Sequence, residues 1–277
     1  MPKVLITGAS RGIGRATSLR LAAAGWDVLA GVRQEADGDA LVAASSRITP
    51  VLLDITDAEQ VVRLADEVTE LDALVNNAGV AMLGPMEGIP VAMLRAQMEV
   101  NFFGHMAVTQ ALLPRLRESR GRIVFTSSLS GRIATPLTGP YNASKFALEG
   151  AADALRMELK PWGIGVSLVE PAQIATDLWA NAEADFDAYI AAMPLAAQEL
   201  YAVHAAGFRK SIPLSQKLAA PVDKVAQSIE KALAARRPRA RYVVGAFPKA
   251  QATLTGASPT PVVDLILRKM TGVPPRL

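Results

Sequence analysis

A tyrosine and a lysine four residues apart, Tyr141 and Lys145, have the spacing that most directly suggests proton transfer. Residues i and i+4 share one face of a helix, so both side chains can reach the same substrate atom. A free tyrosine has a pKa of about 10, and a nearby lysine cation stabilises the phenolate and lowers that value. The pair can then exchange a proton with an alcohol oxygen, although the same spacing also occurs by chance on protein surfaces.

A serine is placed to join this pair. Ser128 ends a run of hydroxyl residues, 126–128, which follows the apolar segment 123–125 and precedes Tyr141 by thirteen positions. A hydroxyl at the carboxyl end of a strand points into the crevice where open α/β sheets bind ligands. We therefore expect the serine and the tyrosine to meet at one site.

A glycine-rich turn follows the first apolar run of the chain. Its residues, 7–14, are TGASRGIG, with glycines at Gly8, Gly12 and Gly14. Glycine allows a tight turn and a close approach of the backbone to a pyrophosphate, and the helix that follows offers free N–H groups to the phosphates. Glycine spacing alone is weak evidence, but its position between a strand and a helix favours dinucleotide binding over a purely structural turn.

The residues after the second apolar run bear on which nicotinamide cofactor fits. A carboxylate at that position would bind a ribose 2′-hydroxyl, but Arg33 stands there, and Arg11 lies in the glycine turn. Guanidinium groups suit a 2′-phosphate, so the sequence favours NADP(H) over NAD(H). Glu35 and Asp37 follow slightly later and keep NAD(H) possible, and both arginines could also be ordinary surface residues.

The elements that must position these residues alternate along the chain. Strands followed by helices indicate βαβ units, and apolar strands without polar alternation indicate a parallel sheet buried on both faces. We predict one doubly wound Rossmann-type α/β domain over residues 1–277, with about seven parallel strands in the order 3-2-1-4-5 and onward, and helices on both faces. The predicted strands are 4–6, 28–30, 51–53, 74–75, 123–125, 166–169 and 241–244, and the predicted helices are 13–24, 57–68, 93–113, 142–159 and 222–235.

Two segments do not follow the alternation. Residues 174–218 are alanine-rich with interspersed aromatic residues and are predicted to form a helical substrate-binding flap. The C-terminal tail, 247–277, contains an amphipathic stretch at 262–270. We expect that stretch to pack on the domain or on a partner subunit rather than on a membrane surface.

Composition excludes several functions. The 277 residues are 51% hydrophobic, which supports a buried core, and they include no cysteine and two histidines. Disulfides, a cysteine nucleophile and a multi-histidine zinc centre are therefore not expected, and no metal site is predicted. The net charge of +3 is small and scattered, so nucleic acid is not an expected partner. With no signal-peptide pattern and no long apolar run, we expect a cytoplasmic protein without a membrane span.

Six motifs occur together and in order. They are TGASRGIG at 7–14, Asp54, NNAG at 76–79, Asn101, Ser128 and YNASK at 141–145. In these motifs the chain resembles the short-chain dehydrogenase/reductase family, closely from residue 3 to about 176 and more loosely beyond. The resemblance implies a catalytic tetrad in which Tyr141 is the general acid/base and Ser128 holds the substrate oxygen. Lys145 would lower the tyrosine pKa and bind the nicotinamide ribose, and Asn101 would order a water in a proton relay.

The resemblance also implies a set of cofactor-binding residues. Beside Arg33, Tyr141 and Lys145 they are Gly8, Ser10, Arg11, Gly12, Ile13, Gly14, Asp54, Ile55, Asn76, Ala78, Gly79, Pro171, Ile174 and Thr176. Asp54 would contact the adenine amine, Asn76 the adenosine side, and Ile174 and Thr176 the nicotinamide carboxamide. The sequence departs from the family where Pro-Gly is usual and Pro171-Ala172 stands instead, which bears on nicotinamide placement and substrate size.

The substrate is expected to be lipophilic. Residues 146–171 and 235–245 are similar to hydroxysteroid and retinol dehydrogenase relatives, and this likeness suggests a lipophilic ketone, aldehyde or alcohol. The candidate substrate contacts are Met82, Ser128, Ala172 and Trp179. His105 and His204 are interpreted as structural, and the family resemblance implies a homo-oligomer, a dimer or tetramer.

Two other functions stay open. The chain could be a non-catalytic cofactor-binding sensor or scaffold, or a lyase or isomerase that uses its cofactor transiently. A sensor has no need of all four tetrad side chains, and a lyase or isomerase would convert substrate without net cofactor oxidation.

Overall fold

The sheet at the centre of the protein has seven parallel strands. The structure is a computed structural model that describes residues 1–176 and 180–274. The strand order is β3-β2-β1-β4-β5-β6-β7, as predicted, and every neighbouring pair is parallel. The strands are β1 Lys3–Ile6, β2 Asp27–Val32, β3 Ile48–Leu52, β4 Ala73–Asn76, β5 Arg122–Thr126, β6 Gly165–Glu170 and β7 Arg241–Val243. The order reverses between β1 and β4, which is where ligands bind in folds of this type.

Helices cover both faces of the sheet. They are α1 Gly12–Ala23, α2 Glu35–Val42, α3 Ala58–Glu67, α4 Val91–Met98, α5 Gly104–Ser119, α6 Gly139–Glu158, α7 Ala182–Ala191, α8 Leu195–Leu200, α9 Ala202–Lys217, α10 Val222–Ala234, α11 Ala246–Ala257 and α12 Thr260–Thr271. Short 3₁₀ turns occupy Leu129–Gly131 and Lys160–Trp162, and a π-helical segment, Glu99–Phe103, joins α4 to α5.

The core has two layers because side chains alternate along each strand. In β1, Val4 and Ile6 enter the layer beneath α1 and α10, while Leu5 enters the layer beneath α3, α5 and α6. All three side chains are fully buried. This two-sided burial explains the unbroken apolar sequence of the central strands.

Three expectations differ from the structure. The strand predicted at 51–53 is β3, Ile48–Leu52, and it is largely exposed because it lies at the edge of the sheet, where Pro50 is tolerated. The helix expected over 93–113 is divided by the π-helical segment. Helix α2 was not expected, since its short sequence with an internal glycine has a weak helical pattern.

Two groups of helices lie beside the carboxyl edge of the sheet. The flap contains α7, α8 and α9, and its Phe186 and Phe208 pack against Leu83 and Leu137. The tail forms two helices, α11 and α12, whose Ala252 and Leu267 pack on Leu129 and Ile133. Both groups therefore contact loops that leave the strands near the predicted site. In the described ranges, no helix combines the length and the hydropathy that crossing a bilayer requires.

Candidate active site

The glycine turn after β1 is shaped by close backbone contacts. Gly8 and Gly12 have positive φ values of 64° and 53°, which favour glycine. A Cβ atom on Gly8 would lie 2.8 Å from Ala78 Cα, and one on Gly14 would lie 2.1 Å from the Gly8 carbonyl oxygen. Larger residues would therefore force the turn apart at both places.

The amino terminus of α1 fits a phosphate group. The helix begins at Gly12, and no side-chain hydrogen bond from Arg11 caps its first N–H groups. Unsatisfied N–H groups at a helix start bind anions well. A Cβ on Gly12 would lie 3.4 Å from Thr176 Cγ2, so the loop after β6 reaches this turn. The residues present fit a dinucleotide, with its phosphates at the turn and its other end toward the loop after β6. Ser10 is half-buried in the turn and Ile13 packs partly on the core.

Asn77, rather than Asn76, stabilises the glycine turn. The Asn77 side chain donates to the carbonyl oxygens of Thr7 and Gly8 at 3.0 and 3.2 Å. The Asn76 side chain is fully buried and donates to Thr109 Oγ1 of α5 at 2.8 Å. The expected contact of Asn76 with the adenosine side would therefore have to come from its backbone, because its amide points into the core.

Three side chains anchor the loop that follows β4. Gln97 of α4 accepts from the Met82 N–H at 2.5 Å, and Asn101 of the π-helical segment bonds both the N–H and the carbonyl of Val80, at 2.9 and 2.8 Å. His105 of α5 lies 2.7 Å from the Ala78 carbonyl oxygen. We call these contacts the loop ladder. Gln97 and His105 are eight positions apart, and in a regular α-helix two such residues do not share one face. The wider turn of the π-helical segment between them brings their side chains closer to a common face.

The Asn101 side chain is thereby fully engaged within the protein. It is completely buried, and its Nδ2 also lies 2.9 Å from the Ser144 hydroxyl of α6. It fixes the loop after β4 against the helix that carries Tyr141 and Lys145. The predicted role in ordering a water would therefore fall to its backbone.

Ser128, Tyr141 and Lys145 come together at the carboxyl end of β5. The Ser128 side chain acts on the Tyr141 hydroxyl and lowers its pKa, and the Ser128 Oγ also accepts from the Ser130 N–H at 3.1 Å and donates to the Pro171 carbonyl oxygen at 3.4 Å. The Lys145 Nζ donates to the Thr126 carbonyl oxygen at 2.9 Å and lies 5.8 Å from the centroid of the Tyr141 ring. Ser128 lies two residues after the end of β5, and Pro140, the second residue of α6, suits the first turn of the helix that carries Tyr141.

Burial governs the protonation of the pair. Burial raises the pKa of Tyr141 above its usual value, and the Ser128 hydrogen bond opposes this rise. Burial lowers the pKa of Lys145 to about 8, and the Glu149 carboxylate opposes this fall. A lowering of the tyrosine pKa by Lys145 was expected, but in this structure the lysine ammonium is bonded to a backbone carbonyl and the tyrosine is held protonated.

His105 is a buried, neutral residue. Its side chain is fully buried, and burial lowers the pKa of His105 to about 3, with the Lys145 charge acting in the same direction. The hydrogen bond to Ala78 acts against this shift. Because the ring is neutral and Nε2 faces a carbonyl, we assign the proton to Nε2. His105 is thus structural, as interpreted from the sequence, and it supports the loop beside the site.

The predicted adenosine-side residues lie near the carboxyl ends of β2 and β3. Arg33 follows β2 and Arg11 lies in the turn after β1, and both are exposed. Asp54 is half-buried, and its Oδ1 accepts from the backbone and the hydroxyl of Thr56 at 2.9 and 2.7 Å. Ile55 is a core residue, since a Cβ on Gly104 would lie 2.7 Å from its Cγ1.

The predicted nicotinamide and substrate residues are divided between core and surface. The Pro171 carbonyl accepts from Leu129 N–H at 2.8 Å, and Ile174 is buried in the core and bridges to Ala220. Ala172 packs beside the C-terminal helices, and Met82 is buried. Gly79 is exposed, and a Cβ there would lie 4.0 Å from Lys145 Nζ. Trp179 lies outside the described residues.

Sequence reasoning missed several residues that shape the site. Asn77 is adjacent to the predicted Asn76 and belongs to the same motif, so its spacing could have drawn attention to it. Gln97 and the Thr126 carbonyl gave no sequence signal, because their roles depend on loops that come from distant parts of the chain.

Together, the parallel sheet, the glycine turn and the serine, tyrosine and lysine define an oxidoreductase that uses a nicotinamide dinucleotide. The family model "short chain dehydrogenase" matches residues 2–187, and the chain belongs to this family. Mouse retinol dehydrogenase 5 is 38% identical over 95% of this chain and 87% of its own length. The uncharacterized oxidoreductase YbbO of Escherichia coli K12 is 48% identical over 62% of this chain, a match that spans 66% of YbbO.

Solved structures of the family have the same fold. A short chain dehydrogenase from Burkholderia cenocepacia in complex with NADP superposes with a TM-score of 0.76 at 27% identity and covers 96% of this chain and 97% of that one. One from Burkholderia phymatum in complex with NAD has a TM-score of 0.75 at 25% identity and covers 91% and 92%. The enzyme class is therefore clear, and family members of this fold bind either cofactor.

Proposed function

We propose that this enzyme is an NADP(H)-dependent oxidoreductase that interconverts a lipophilic carbonyl compound and its alcohol, with the whole chain acting as one catalytic domain. The observation that carries the proposal is the meeting of three side chains: Ser128 acts on the Tyr141 hydroxyl and lowers its pKa, and the Lys145 ammonium lies 5.8 Å from the Tyr141 ring on the same helix face. A substrate oxygen held between the two hydroxyls would have a proton donor in contact with it.

The side chains divide the work of a carbonyl reduction. NADPH, when bound, supplies the hydride. Ser128 holds and polarises the substrate oxygen, and Tyr141 gives that oxygen its proton. Because burial raises the pKa of Tyr141, the residue carries its proton at neutral pH, as a donor must. Lys145 supplies a positive charge that stabilises the phenolate left after the transfer.

The preference for NADP(H) rests on charge near the adenosine ribose. Arg33 follows β2 and no carboxylate ends that strand, so a 2′-phosphate would meet a guanidinium instead of a repelling acid. Arg11 lies in the turn after the neighbouring strand β1. Both arginines are exposed and near the carboxyl edge of the sheet, where the cofactor lies in this type of fold.

A lipophilic substrate is supported by the apolar side chains around the catalytic loops. Leu129 and Ile133 lie one and five residues after Ser128 and are covered by Ala252 and Leu267 of the C-terminal helices. The flap packs Phe186 onto the loop that follows Met82. The name of the mouse relative, retinol dehydrogenase 5, is consistent with this class of substrate.

A homo-oligomer is part of the same proposal. The surfaces of α5 and α6 are the expected interface, and two large aromatic side chains there, Phe103 just before α5 and Phe146 on α6, are 51% and 45% exposed. Light scattering of the purified protein measures the mass directly, and a monomer at micromolar concentration contradicts this part of the proposal.

The test follows the loss of NADPH absorbance with a panel of lipophilic ketones and aldehydes. Tyr141→Phe removes the proton donor and is expected to lower kcat by at least about a hundredfold, while NADPH affinity changes little. Tyr242→Phe is the matched control, because the Tyr242 hydroxyl accepts from the Arg239 N–H at 3.1 Å, away from the site.

The outcomes separate the competing functions. Turnover in the parent and the control but not in Tyr141→Phe supports the proposal. Near-full turnover in Tyr141→Phe contradicts it. Tight NADPH binding without turnover of any compound favours a cofactor-binding sensor, and product formation without net NADPH oxidation favours a lyase or isomerase.

A further inference from the structure

A group of charged side chains lies behind the catalytic helix face and has no part in the reaction described above. Its carboxyl groups are Glu149, Asp153 and Glu170, and its cations are Arg132, Arg156 and Arg241. We call it the charge cluster. Glu149 and Glu170 are buried, whereas the other four side chains are 30–38% exposed.

Glu149 connects this cluster to the catalytic lysine. It lies one turn after Lys145 and two turns after Tyr141 on the same face of α6. Glu149 is buried, with 6% of its surface exposed. A Cβ on Gly131 would lie 2.9 Å from Glu149 Cγ and 3.0 Å from the Lys145 carbonyl oxygen, so the turn after Ser128 rests on both residues.

Arg241 of β7 holds Glu149 in place. Its Nε donates to Glu149 Oε2 at 3.0 Å, and its two terminal nitrogens bond Asp153 at 3.1 and 2.6 Å. Burial raises the pKa of Glu149, and the Ser127 hydroxyl and the Arg241 guanidinium oppose this rise. The guanidinium therefore favours the charged form of a carboxylate whose ionisation burial disfavours.

Glu170 links the cluster to both catalytic loops. It ends β6, immediately before Pro171, and is fully buried, with Oε1 3.0 Å from Arg241 Nε. Its Oε2 accepts from Arg132, which lies just after the Ser128 turn, at 3.4 Å. Burial raises the pKa of Glu170 to about 7, and the nearby Glu149 acts in the same direction.

We propose that Glu149, held in its charged form by Arg241, is a positioning residue that keeps the Lys145 ammonium protonated for catalysis. The proposal rests on the function proposed above and adds a role for Arg241 of strand β7. The charged or titratable groups facing Lys145 are Tyr141 and Glu149 on its own helix and His105 on α5. His105 is neutral, so Glu149 supplies the negative charge that offsets burial of the ammonium.

The first measurement needs no substrate. The Lys145 pKa is followed by NMR of the full-length protein labelled with ¹⁵N at the lysine Nζ, with Lys145→Arg identifying the signal. In the parent the pKa is expected near 8. In Glu149→Gln it is expected to fall by at least about half a unit, because burial is no longer opposed by a carboxylate.

Asp153→Asn is the matched control. Asp153 also bonds Arg241, but it lies a further turn from Lys145 and its side chain is 34% exposed. The Lys145 pKa should stay within about 0.2 units of the parent in this variant. Arg241→Gln is the second test, and it should lower the Lys145 pKa as Glu149→Gln does, because Glu149 then loses the cation that favours its charged form.

The kinetic measurement is the basic limb of the kcat/KM pH profile. With Lys145 losing its proton at lower pH, this limb should move to lower pH in Glu149→Gln and return in Glu149→Asp, which restores the charge. A Lys145 pKa that is the same in Glu149→Gln, Arg241→Gln and the parent overturns the proposal. Absence of turnover in the parent would contradict the proposed function instead, and the NMR result would still decide the role of Glu149.

Discussion

At the scale of single residues, the site keeps its proton donor, Tyr141, in the protonated form. Burial raises the pKa of Tyr141, while the same burial lowers the pKa of Lys145 to about 8. The two shifts move the pKa values of the tyrosine and the lysine apart, so Tyr141 keeps its proton at a pH at which Lys145 begins to lose its own. The Ser128 side chain moderates the rise in the pKa of the tyrosine.

Arg33→Asp tests the cofactor preference at this scale. The variant replaces an exposed guanidinium after β2 with a carboxylate, which repels a 2′-phosphate and can accept from a 2′-hydroxyl. We expect NADPH affinity to fall at least about tenfold and NADH affinity to rise. Fluorescence titration with NADPH and with NADH measures the ratio of the two affinities.

Arg236→Asp controls for the change in net charge. Arg236 is exposed in the loop before β7, at the opposite edge of the sheet from the cofactor turn. An Arg33→Asp variant whose ratio of NADPH to NADH affinity equals that of the parent would show that Arg33 does not contact the 2′-phosphate.

The sequence predicted the residues whose signals are local. Tyr141 and Lys145 are four positions apart, and Ser128 follows the strand that precedes their helix. One helix and one strand therefore suffice to bring the three side chains together. The pairing of Glu149 with Arg241 spans 92 positions. No local pattern encodes such a contact, because it depends on how β7 is placed beside α6.

At the scale of elements, the turn between β1 and α1 works through the absence of side chains. Gly14→Ala would place a Cβ 2.1 Å from the Gly8 carbonyl oxygen, so the turn must open. We expect a loss of about 1–3 kcal/mol in the free energy of unfolding and a clear loss of NADPH affinity. Chemical denaturation and NADPH titration measure the two effects.

Gly150→Ala is the matched control for this prediction. Gly150 lies within α6, and a Cβ added there meets no heavy atom within 4 Å. Alanine in an exposed helix interior is more favourable than glycine by about 0.5–1 kcal/mol. A Gly14→Ala protein as stable as Gly150→Ala, with parental NADPH affinity, would refute the close packing of the turn.

The division of one long helix into α4, a π-helical segment and α5 could not be predicted from residue types. Residues 91–119 have mostly apolar and helix-forming side chains, and the weaker helix formers among them, Asn101, Gly104 and Pro114, do not mark where an extra residue enters a turn. The deviation is stabilised by tertiary contacts, since Asn101 in the segment bonds Val80 and Ser144.

At the scale of the whole molecule, a buried neutral histidine links stability to acidity. The pKa of His105 is about 3 in the folded protein and near 6.5 in an unfolded chain. Between these values the unfolded state binds one more proton, so the free energy of unfolding falls as the pH falls. The contribution of His105 is about 1.4 kcal/mol per pH unit below 6.5.

Denaturation between pH 7 and pH 4.5 checks this prediction. His105→Gln should show a shallower loss of stability in this range, by about one proton, than the parent. His204→Gln is the control, since His204 on α9 of the flap is only half-buried, whereas His105 is fully buried. Equal slopes in the parent and His105→Gln would show that the His105 ring is not buried in its neutral form.

The architecture was predictable to the level of strand order. Alternating apolar runs and helical segments define a doubly wound sheet, and the observed order follows that rule. The arrangement of the tail was not predictable, because the close approach of Gly207 in α9 to Gly272 just after α12 joins residues far apart in the sequence. The packing of the C-terminal helices on Leu129 likewise depends on contacts between distant parts of the chain.

The loop ladder has a consequence for how this enzyme can be diversified. Gln97, Asn101 and His105 contact the loop through main-chain atoms of Ala78, Val80 and Met82. These hydrogen bonds therefore do not depend on which side chains the loop carries. A directed-evolution library could vary the loop's own residues to change which compounds are accepted, while the three anchoring side chains are kept constant as a fixed frame.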